Sequence, residues 1–268
     1  MTTESAWFDA NRALWDARTT AHLPSDFYDV ANFRAGAESL REIELAEVGD
    51  VRGRSLLHLQ CHFGQDTLAW ARRGAVATGL DFSGEAVRAA RALAAELSLP
   101  TDFVEANVFD APAAVGGRRF DIVFTSYGVL GWLPDLTRWA TAAAACVAPG
   151  GFLYLAEFHP VVWMFDSAFR EVQYPYLNAG VIAETEEGTY ADPTAPIRHD
   201  SFGWNHGLGE VVSALTAAGL VIEFLHEFDF SPWNFMAAFV KVGPQRFQVR
   251  GLEGKLPLTY SVRARQPA

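Results

Sequence analysis

The stretch from Ser55 to Ser83 constrains the fold of this 268-residue chain more than any other part of it. Its sequence, SLLHLQCHFGQDTLAWARRGAVATGLDFS, has the pattern of an apolar strand, a tight turn carrying Gly64, an amphipathic helix and a second strand that ends at Asp81. Backbone N–H groups at a helix N-terminus bind anionic groups, and an acid about twenty residues further on is placed for ribose hydroxyls. The stretch therefore favours a nucleotide-like ligand.

Strand and helix patterns alternate along the chain after a helical N-terminal segment. Short apolar runs typical of buried parallel strands occur at 55–60, 76–80, 102–106, 120–126 and 151–157. Helical patterns lie between them at 66–73, 83–97 and 135–147. Further along, a helix is predicted over 207–219 and strands over 220–228 and 258–265. This alternation predicts a single-domain, doubly wound α/β fold with helices on both faces of the sheet.

Two segments, 158–205 and 231–255, do not fit the alternation. Both are rich in aromatic residues and poor in periodic patterns, and loops of this length usually serve as lids or binding loops. Both follow strands on the side where open α/β sheets bind ligands. We therefore expect these inserts to contribute to a substrate pocket, while most of their aromatic side chains form small cores.

Composition and charge narrow the kind of partner. Half of the residues are hydrophobic, and the formal net charge of −11 opposes binding to nucleic acid and to anionic membranes, which favours a small-molecule partner. No apolar run reaches the roughly 20 residues that span a bilayer, and the first residues lack the apolar segment of a signal peptide. With only two cysteines, a cytoplasmic location is expected.

Five motifs appear in a fixed order between about Ser55 and Pro160. They read LLHLQCHFG, GLDFS, VEANVFDAP, FDIVFTSYGVLGWLPDL and VAPGGFLYLAEFHP. The series resembles that of class I S-adenosylmethionine-dependent methyltransferases, and LHLQCHFGQDTL is similar to a bacterial subgroup of methyltransferase-domain proteins. The resemblance implies a mostly parallel seven-stranded sheet, S-adenosyl-L-methionine as cofactor, residues 1–50 as a helical cover, and residues 51–157 as the cofactor-binding core. It does not identify the methyl acceptor.

The loop after the first strand departs from the family pattern. The family has an acid followed by three glycines at alternate positions, and this chain has His58, Gln60, His62 and Gly64 there. Only Gly64 keeps the freedom of a glycine to turn the backbone into the helix. By resemblance, Gln60, Cys61 and Gly64 contact the cofactor, and the Gln60 amide is able to accept from an ammonium group or to donate to a carboxylate.

The remaining cofactor residues follow from the resemblance one position at a time. Asp81 matches the acid that accepts from both ribose hydroxyls, and Phe82 is expected beside the adenine. Asn107 stands where an acid often contacts the adenine amino group, with a tight turn as the alternative role, and Val108 follows it as an apolar wall. Ser126 and Tyr127 are expected near the sulfonium. In the N-terminal cover, Arg34 is a candidate partner for the methionine carboxylate, beside Trp15 and Tyr28.

For the reaction, His159 is the best-placed candidate base, because it follows the fifth strand in AEFHP, and His206 in GWNHGLGE is the second. Either imidazole also suits a purely structural role. No second Cys/His pair accompanies His58, Cys61 and His62, so no metal site is expected. The predicted function is methyl transfer to a small, partly apolar metabolite. The alternatives are a nicotinamide-dependent oxidoreductase, disfavoured by the Pro149–Gly150–Gly151 turn and the lost glycines, and a non-catalytic S-adenosylmethionine-binding protein.

Overall fold

The computed structural model describes residues 3–268, and its centre is a seven-stranded sheet. The strands of this sheet are β1 Ser55–Leu59, β2 Val76–Asp81, β3 Asp102–Glu105, β4 Phe120–Ser126, β5 Val147–Phe158, β8 Val221–Phe228 and β11 Thr259–Arg265. Their order is β3-β2-β1-β4-β5-β11-β8, and β11 runs antiparallel to the other six strands. The predicted doubly wound, mostly parallel sheet is confirmed.

Eight α-helices accompany these strands within residues 3–268. They are α1 Glu4–His22, α2 Val30–Arg34, α3 Glu42–Val48, α4 Gln65–Arg72, α5 Gly84–Glu96, α6 Ala111–Ala114, α7 Leu136–Ala145 and α8 Leu208–Ala217. Side-chain caps define several of the starts: Ser83 accepts from the Ala86 N–H at the start of α5, and Asp135 accepts from the Arg138 N–H at the start of α7. No helix in the described range is long and apolar enough to cross a membrane.

Apolar side chains leave the central strands toward both faces of the sheet. Leu57 and Leu59 of β1 pack on one face with Trp139 of α7, whereas Leu56 packs on the other face with Trp70 of α4. Alternation along a strand that is buried on both sides produces this division. The continuous apolar runs of the sequence therefore mark strands covered by helices on both sides.

The two inserts each contain a β-hairpin. In the first, β6 Ile182–Glu187 pairs with β7 Arg198–Gly203, and in the second, β9 Phe239–Gly243 pairs with β10 Arg246–Val249. Short 3₁₀ turns lie at Val108–Asp110, Leu130–Trp132 and Val162–Met164.

The N-terminal helix α1 lies between the first hairpin and the sheet. The side chain of Asn11 bonds to the backbone of Phe202 in β7, donating through Nδ2 at 2.8 Å and accepting through Oδ1 at 2.9 Å. One turn further on, the Asp16 carboxylate accepts from the Ser83 hydroxyl at 2.5 Å. Helix α1 thus fixes the hairpin of the first insert over the end of the sheet.

Candidate functional site

A cavity of about 360 Å³ opens at the carboxyl ends of β1, β2 and β4. This is the edge at which open α/β sheets bind ligands, and the volume lies in the usual range for small-molecule sites. Several of the residues expected at the cofactor line it, namely Gln60, Cys61, Gly64, Asp81, Phe82, Ser126 and Tyr127. The structure therefore brings most of the predicted cofactor residues together.

The loop after β1 keeps the backbone of a glycine-rich loop with few glycines. Gln60, His62 and Gly64 all have positive φ, at +55°, +51° and +73°. Left-handed backbone is unfavourable for residues with a Cβ, by about 1–2 kcal/mol each. At Gly64 an added Cβ would lie 2.4 Å from the Phe103 ring and 2.9 Å from the Ala90 methyl group, so a glycine is required there for space as well. The loop thus keeps a left-handed backbone despite the substitutions, and Gly64 leaves the space that the Phe103 ring occupies.

Asp81 ends β2 and points its carboxylate at this loop. Its Oδ2 atom accepts from the His62 N–H at 2.7 Å and its Oδ1 atom accepts from the Ser83 N–H at 2.9 Å. Burial raises the pKa of Asp81 to about 6, although these hydrogen bonds oppose the rise. Each carboxylate oxygen has two lone pairs, so both can still accept from ribose hydroxyls.

Gln60 supplies a second feature that fits the cofactor. Its amide nitrogen donates to the Val129 carbonyl at 3.1 Å, which fixes the direction of the side chain. Its Oε1 atom is buried and has no hydrogen-bond partner within residues 3–268. Such an oxygen in a ligand cavity is an acceptor for a ligand donor, and an ammonium group matches it. Asp81 and Gln60 together therefore fit the ribose and the amino group of S-adenosylmethionine.

Aromatic side chains from both inserts cover the rest of the cavity. Trp163 and Tyr190 come from the first insert, Trp233 and Phe235 from the second, and Phe158 from the end of β5. Trp132, from the turn after β4, faces Trp15 of α1 in an edge-to-face contact with ring centroids 5.5 Å apart. These walls favour a planar or apolar ligand.

One ion pair is enclosed among these rings. The Arg18 guanidinium lies 3.2 Å from the Glu186 carboxylate of β6, and its carbon is 5.2 Å and 5.4 Å from the rings of Trp15 and Trp132. Arg18 is buried, whereas Glu186 is partly exposed. Neither residue is marked by the sequence motifs, because the pair forms only when the hairpin lies on α1.

His159 does not face the cavity, so the prediction of its position is wrong. Its Nε2 atom lies 3.0 Å from the Glu227 carboxylate of β8, and its Nδ1 atom accepts from the Val161 N–H at 3.2 Å. The His159 N–H still pairs with the Leu258 carbonyl, in line with the β5–β11 ladder, so strand alternation continues past Phe158. Phe158 therefore faces the cavity, and the imidazole of His159 points to the opposite face.

His206 is also outside the cavity lining. It is buried just before α8, where Nε2 donates to the Leu133 carbonyl at 2.8 Å and Nδ1 lies 3.0 Å from the Glu210 carboxylate. These contacts tie the start of α8 to the turn after β4. These contacts indicate a structural role for His206, which is one of the two roles that the sequence allows.

Three of the expected cofactor residues lie away from the cavity lining. Arg34 is on the surface, where its Nε atom lies 3.0 Å from the Glu96 carboxylate, so its proposed contact with a ligand carboxylate is not supported. Asn107 accepts from the Phe109 N–H at 3.0 Å and caps the 3₁₀ turn, and Val108 is part of the core under α7. A turn residue and a core residue explain both positions.

Glu157, the residue before Phe158, holds the turn after β4. Its carboxylate accepts from the N–H groups of Gly128, Val129 and Leu130, the last two at 2.8 Å and 3.1 Å. Burial raises the pKa of Glu157, and these bonds oppose the rise.

In the described part of the chain, no group of three His, Cys, Asp or Glu side chains is placed to hold a metal ion.

Comparison with known proteins agrees with this geometry. Residues 57–153, which run from β1 into β5, match the family model of a methyltransferase domain. A ubiquinone biosynthesis O-methyltransferase of Methylobacterium sp. (strain 4-46) is 31% identical over 122 residues, which cover 46% of this chain and 48% of the relative. That of Escherichia coli O127:H6 is 32% identical over 111 residues, covering 41% and 45%. The chain thus spans about half the length of these curated relatives.

Solved structures show the same fold over a larger part of the chain. A complex of DhpI with S-adenosylhomocysteine has a TM-score of 0.57 at 17% identity and covers 99% of both chains. An S-adenosylmethionine-dependent methyltransferase from Mesorhizobium loti has a TM-score of 0.54 at 18% identity, covering 87% of this chain and 99% of its own. At these identities the likeness concerns the fold alone.

The family match and the fold point the same way. Residues 57–153 match a methyltransferase domain, and the chain has the fold of solved S-adenosylmethionine-dependent methyltransferases. S-adenosylmethionine is the cofactor that the Asp81 carboxylate and the Gln60 amide oxygen of the cavity fit.

Proposed function

We propose that this protein transfers a methyl group from S-adenosylmethionine to a hydroxyl oxygen of a small, partly apolar metabolite. One observation carries the proposal. The cavity is lined by the Asp81 carboxylate, by the Gln60 side chain and by a wall of aromatic rings. The Oε1 atom of Gln60 has no hydrogen-bond partner among residues 3–268. The first two fit the cofactor, and the rings fit an apolar acceptor.

Residues of the chain position the cofactor in this proposal. Asp81 accepts from the ribose hydroxyls, Gln60 accepts from the amino group, and the left-handed loop around Gly64 allows close approach of the methionine part. Tyr127, which follows β4, is held by its hydroxyl bond to Glu44 at 2.7 Å and forms the floor beside the reacting centre. The bound cofactor supplies an electrophilic methyl group on a sulfonium. Most of the acceleration can then come from orientation of the acceptor.

The binding site of the methyl acceptor is formed by the two inserts in this proposal. We propose that residues 158–205 and 231–255 bind it, as parts of a single domain in which 1–50 form the cover and 51–157 the cofactor-binding core. An oxygen acceptor is supported by the relatives that are named O-methyltransferases. The net charge of −11 favours a small molecule over nucleic acid as the partner. The two free cysteines favour a cytoplasmic location.

Calorimetric titration tests the proposal. We expect wild-type protein to bind S-adenosylhomocysteine and not NAD, and Asp81→Ala to bind S-adenosylhomocysteine at least about tenfold more weakly, since each decade is about 1.4 kcal/mol. Asp50→Ala, which removes a surface carboxylate bound to Arg52, is the matched control and should bind like the wild type. Absence of S-adenosylhomocysteine binding would reject the proposal.

Radiolabelled S-adenosylmethionine and a panel of phenols and catechols then test turnover. Methyl transfer to a hydroxyl of the panel supports the acceptor class. Cofactor binding without transfer to this panel or to amine and thiol probes would favour the alternative of a non-catalytic S-adenosylmethionine-binding protein.

A further inference from the structure

Two histidines that the proposed function has not used form a pair at the wall of the cavity. His22 lies in the last turn of α1, and His62 lies in the loop after β1. His22 Nδ1 and His62 Nε2 are 3.0 Å apart, so one of these nitrogens donates a proton to the other. His62 lines the cavity, and His22 is fully buried beside it. The pair thus joins the cavity to the interior of the N-terminal cover.

The outer nitrogens of the pair are buried and unsatisfied. Neither His62 Nδ1 nor His22 Nε2 has a hydrogen-bond partner within the described range 3–268. An unpaired buried polar atom is unfavourable and needs an explanation. His62 is unfavourable for a second reason, because its φ of +51° suits glycine or asparagine better than histidine. A glycine at this position would avoid both penalties, so the imidazole itself requires a role.

The position of the shared proton decides what the two ends of the pair can do. When both rings are neutral, the pair carries two N–H protons, and one of them lies between the rings. If that proton is on His62 Nε2, the second is on His22 Nε2, and His62 Nδ1 is left as an acceptor. The Nδ1 atom of His62, the histidine that lines the cavity, then carries a free lone pair.

Before the reaction, the surroundings of the pair favour the neutral form of both rings, which leaves a nitrogen lone pair to accept a proton. Burial, and to a smaller extent the Arg18 guanidinium, lowers the pKa of His22 to about 3 and the pKa of His62 well below its usual value. The other titratable groups that face the pair are Tyr28 and Tyr190, whose hydroxyls are 2.6 Å apart, and Asp81, which contacts the His62 backbone. Burial raises the pKa of both tyrosines, so they are uncharged as well.

We infer that His62 accepts the proton of the acceptor hydroxyl during methyl transfer, with His22 fixing the orientation of its ring. This inference rests on the proposed function. In the step, the O–H bond of the acceptor breaks and its proton moves to His62 Nδ1, while an oxygen electron pair forms the new C–O bond. The C–S bond breaks, and its electron pair remains on sulfur. The total charge of the site is unchanged, because positive charge leaves the sulfonium and appears on the imidazolium.

Nuclear magnetic resonance of the ring nitrogens tests the inference without any ligand. In uniformly ¹⁵N-labelled protein, we expect His62 to carry its proton on Nε2 and none on Nδ1 at neutral pH. His62→Asn assigns the signals, and asparagine tolerates the left-handed backbone, so this variant should fold. A proton on His62 Nδ1 would overturn the inference, because that nitrogen could then not accept.

Turnover with two phenols of different acidity gives the second test. For the weakly acidic 4-methylphenol, we expect His62→Asn to lower the methylation rate by about 10²-fold or more, within the range for a general base. For the more acidic 4-nitrophenol, which ionises by itself near neutral pH, we expect a much smaller loss. His226→Gln, which replaces an exposed histidine paired with Glu47 on the surface, should keep the wild-type rate with both phenols.

The outcomes separate this inference from the proposed function. If His62→Asn weakens S-adenosylhomocysteine binding as much as it lowers the rate, the pair serves the cofactor and the inference is wrong. It is also wrong if both phenols lose rate equally. If the wild type binds S-adenosylhomocysteine but methylates neither phenol, the protonation of His62 decides alone. If the wild type binds no S-adenosylhomocysteine, it is the proposed function that fails.

Discussion

The Oδ2 atom of Asp81 accepts a 2.7 Å hydrogen bond from the backbone N–H of His62. The carboxylate at the end of β2 therefore holds the loop after β1 in its left-handed course as well as facing the cavity. This contact links the two parts of the sequence, the loop and the acid, that first indicated a nucleotide-like ligand. It also means that Asp81 is already desolvated and oriented before any ligand is present.

Binding of S-adenosylhomocysteine should weaken at mildly acidic pH. Burial raises the pKa of Asp81 to about 6, so the carboxylate is ionised above that pH and becomes protonated as the pH falls through it. A protonated carboxyl group accepts less well from two ribose hydroxyls, and we expect affinity to fall by up to about tenfold for each pH unit below 6. Titration calorimetry between pH 5 and 8 measures the change.

Asp81→Asn is the control for this pH dependence. Its side chain does not titrate, so its weaker affinity should be the same across the range. An equally steep loss of affinity in Asp81→Asn would assign the pH dependence to another group.

Gly64→Ala should lower the free energy of unfolding more than Gly116→Ala does. Gly64 and Gly116 both have left-handed backbone, with φ of +73° and +68°, so alanine is strained by about 1–2 kcal/mol at either position. At Gly64 the added methyl group also meets the Phe103 ring at 2.4 Å, whereas at Gly116 nothing lies within 4 Å. We expect urea unfolding to show an additional loss of about 1–3 kcal/mol for Gly64→Ala. Equal losses in the two variants would contradict the close packing.

Glu44 should make the protein less stable as the pH rises. Burial raises the pKa of Glu44 to about 7, although hydrogen bonds from the Tyr127 hydroxyl and the Arg41 N–H oppose the rise. Because the folded-state pKa lies above the unfolded value near 4.5, the folded state holds its proton more tightly, and this stability is lost between pH 4.5 and 7. Relative to the wild type, Glu44→Gln should therefore gain up to about 3 kcal/mol over that interval.

Denaturant unfolding at pH 5 and pH 8 checks this expectation. Glu42→Gln, on the same helix α3, removes an exposed carboxylate that pairs with Arg246 and should follow the wild type at both values. If Glu44→Gln also follows the wild type, Glu44 is not the group that couples stability to pH.

The sequence predicted the order and position of the sheet elements closely, because strands buried on both faces are continuous apolar runs bounded by turns. The run at 120–126 coincides with β4, and the pattern at 207–219 contains α8. The hairpins β6–β7 and β9–β10 were not predicted. Their exposed strands lack a regular apolar pattern, and their positions depend on contacts with α1 and with the rest of the second insert.

The site was predicted where backbone motifs determine it and missed where tertiary contacts do. Asp81 and Gln60 line the cavity because both follow directly from a β1–loop–α4–β2 unit. His159 was misplaced because a single residue of strand alternation decides which face its ring takes. The His22–His62 pair joins residues 40 positions apart, and no local pattern could have shown it.

The ion pair between Arg18 and Glu186 fastens the first hairpin to α1. Glu186 pairs with Arg18, whose side chain is 5% exposed, whereas the adjacent Glu187 pairs with Arg198 on the open surface. Removing one partner of a buried pair leaves the other charge desolvated, so we expect Glu186→Gln to cost about 2 kcal/mol in urea unfolding. Glu187→Gln should change stability by less than about 0.5 kcal/mol, because exposed pairs contribute little. Hydrogen exchange should also quicken across β6 and β7 in Glu186→Gln, and not in Glu187→Gln.

A double variant tests the cause of this loss. Since the Arg18 charge is the source of the penalty, adding Arg18→Met to Glu186→Gln should restore much of the stability. If the double variant is less stable than Glu186→Gln, the Arg18 side chain stabilises the hairpin through its contacts with Trp15 and Trp132 instead.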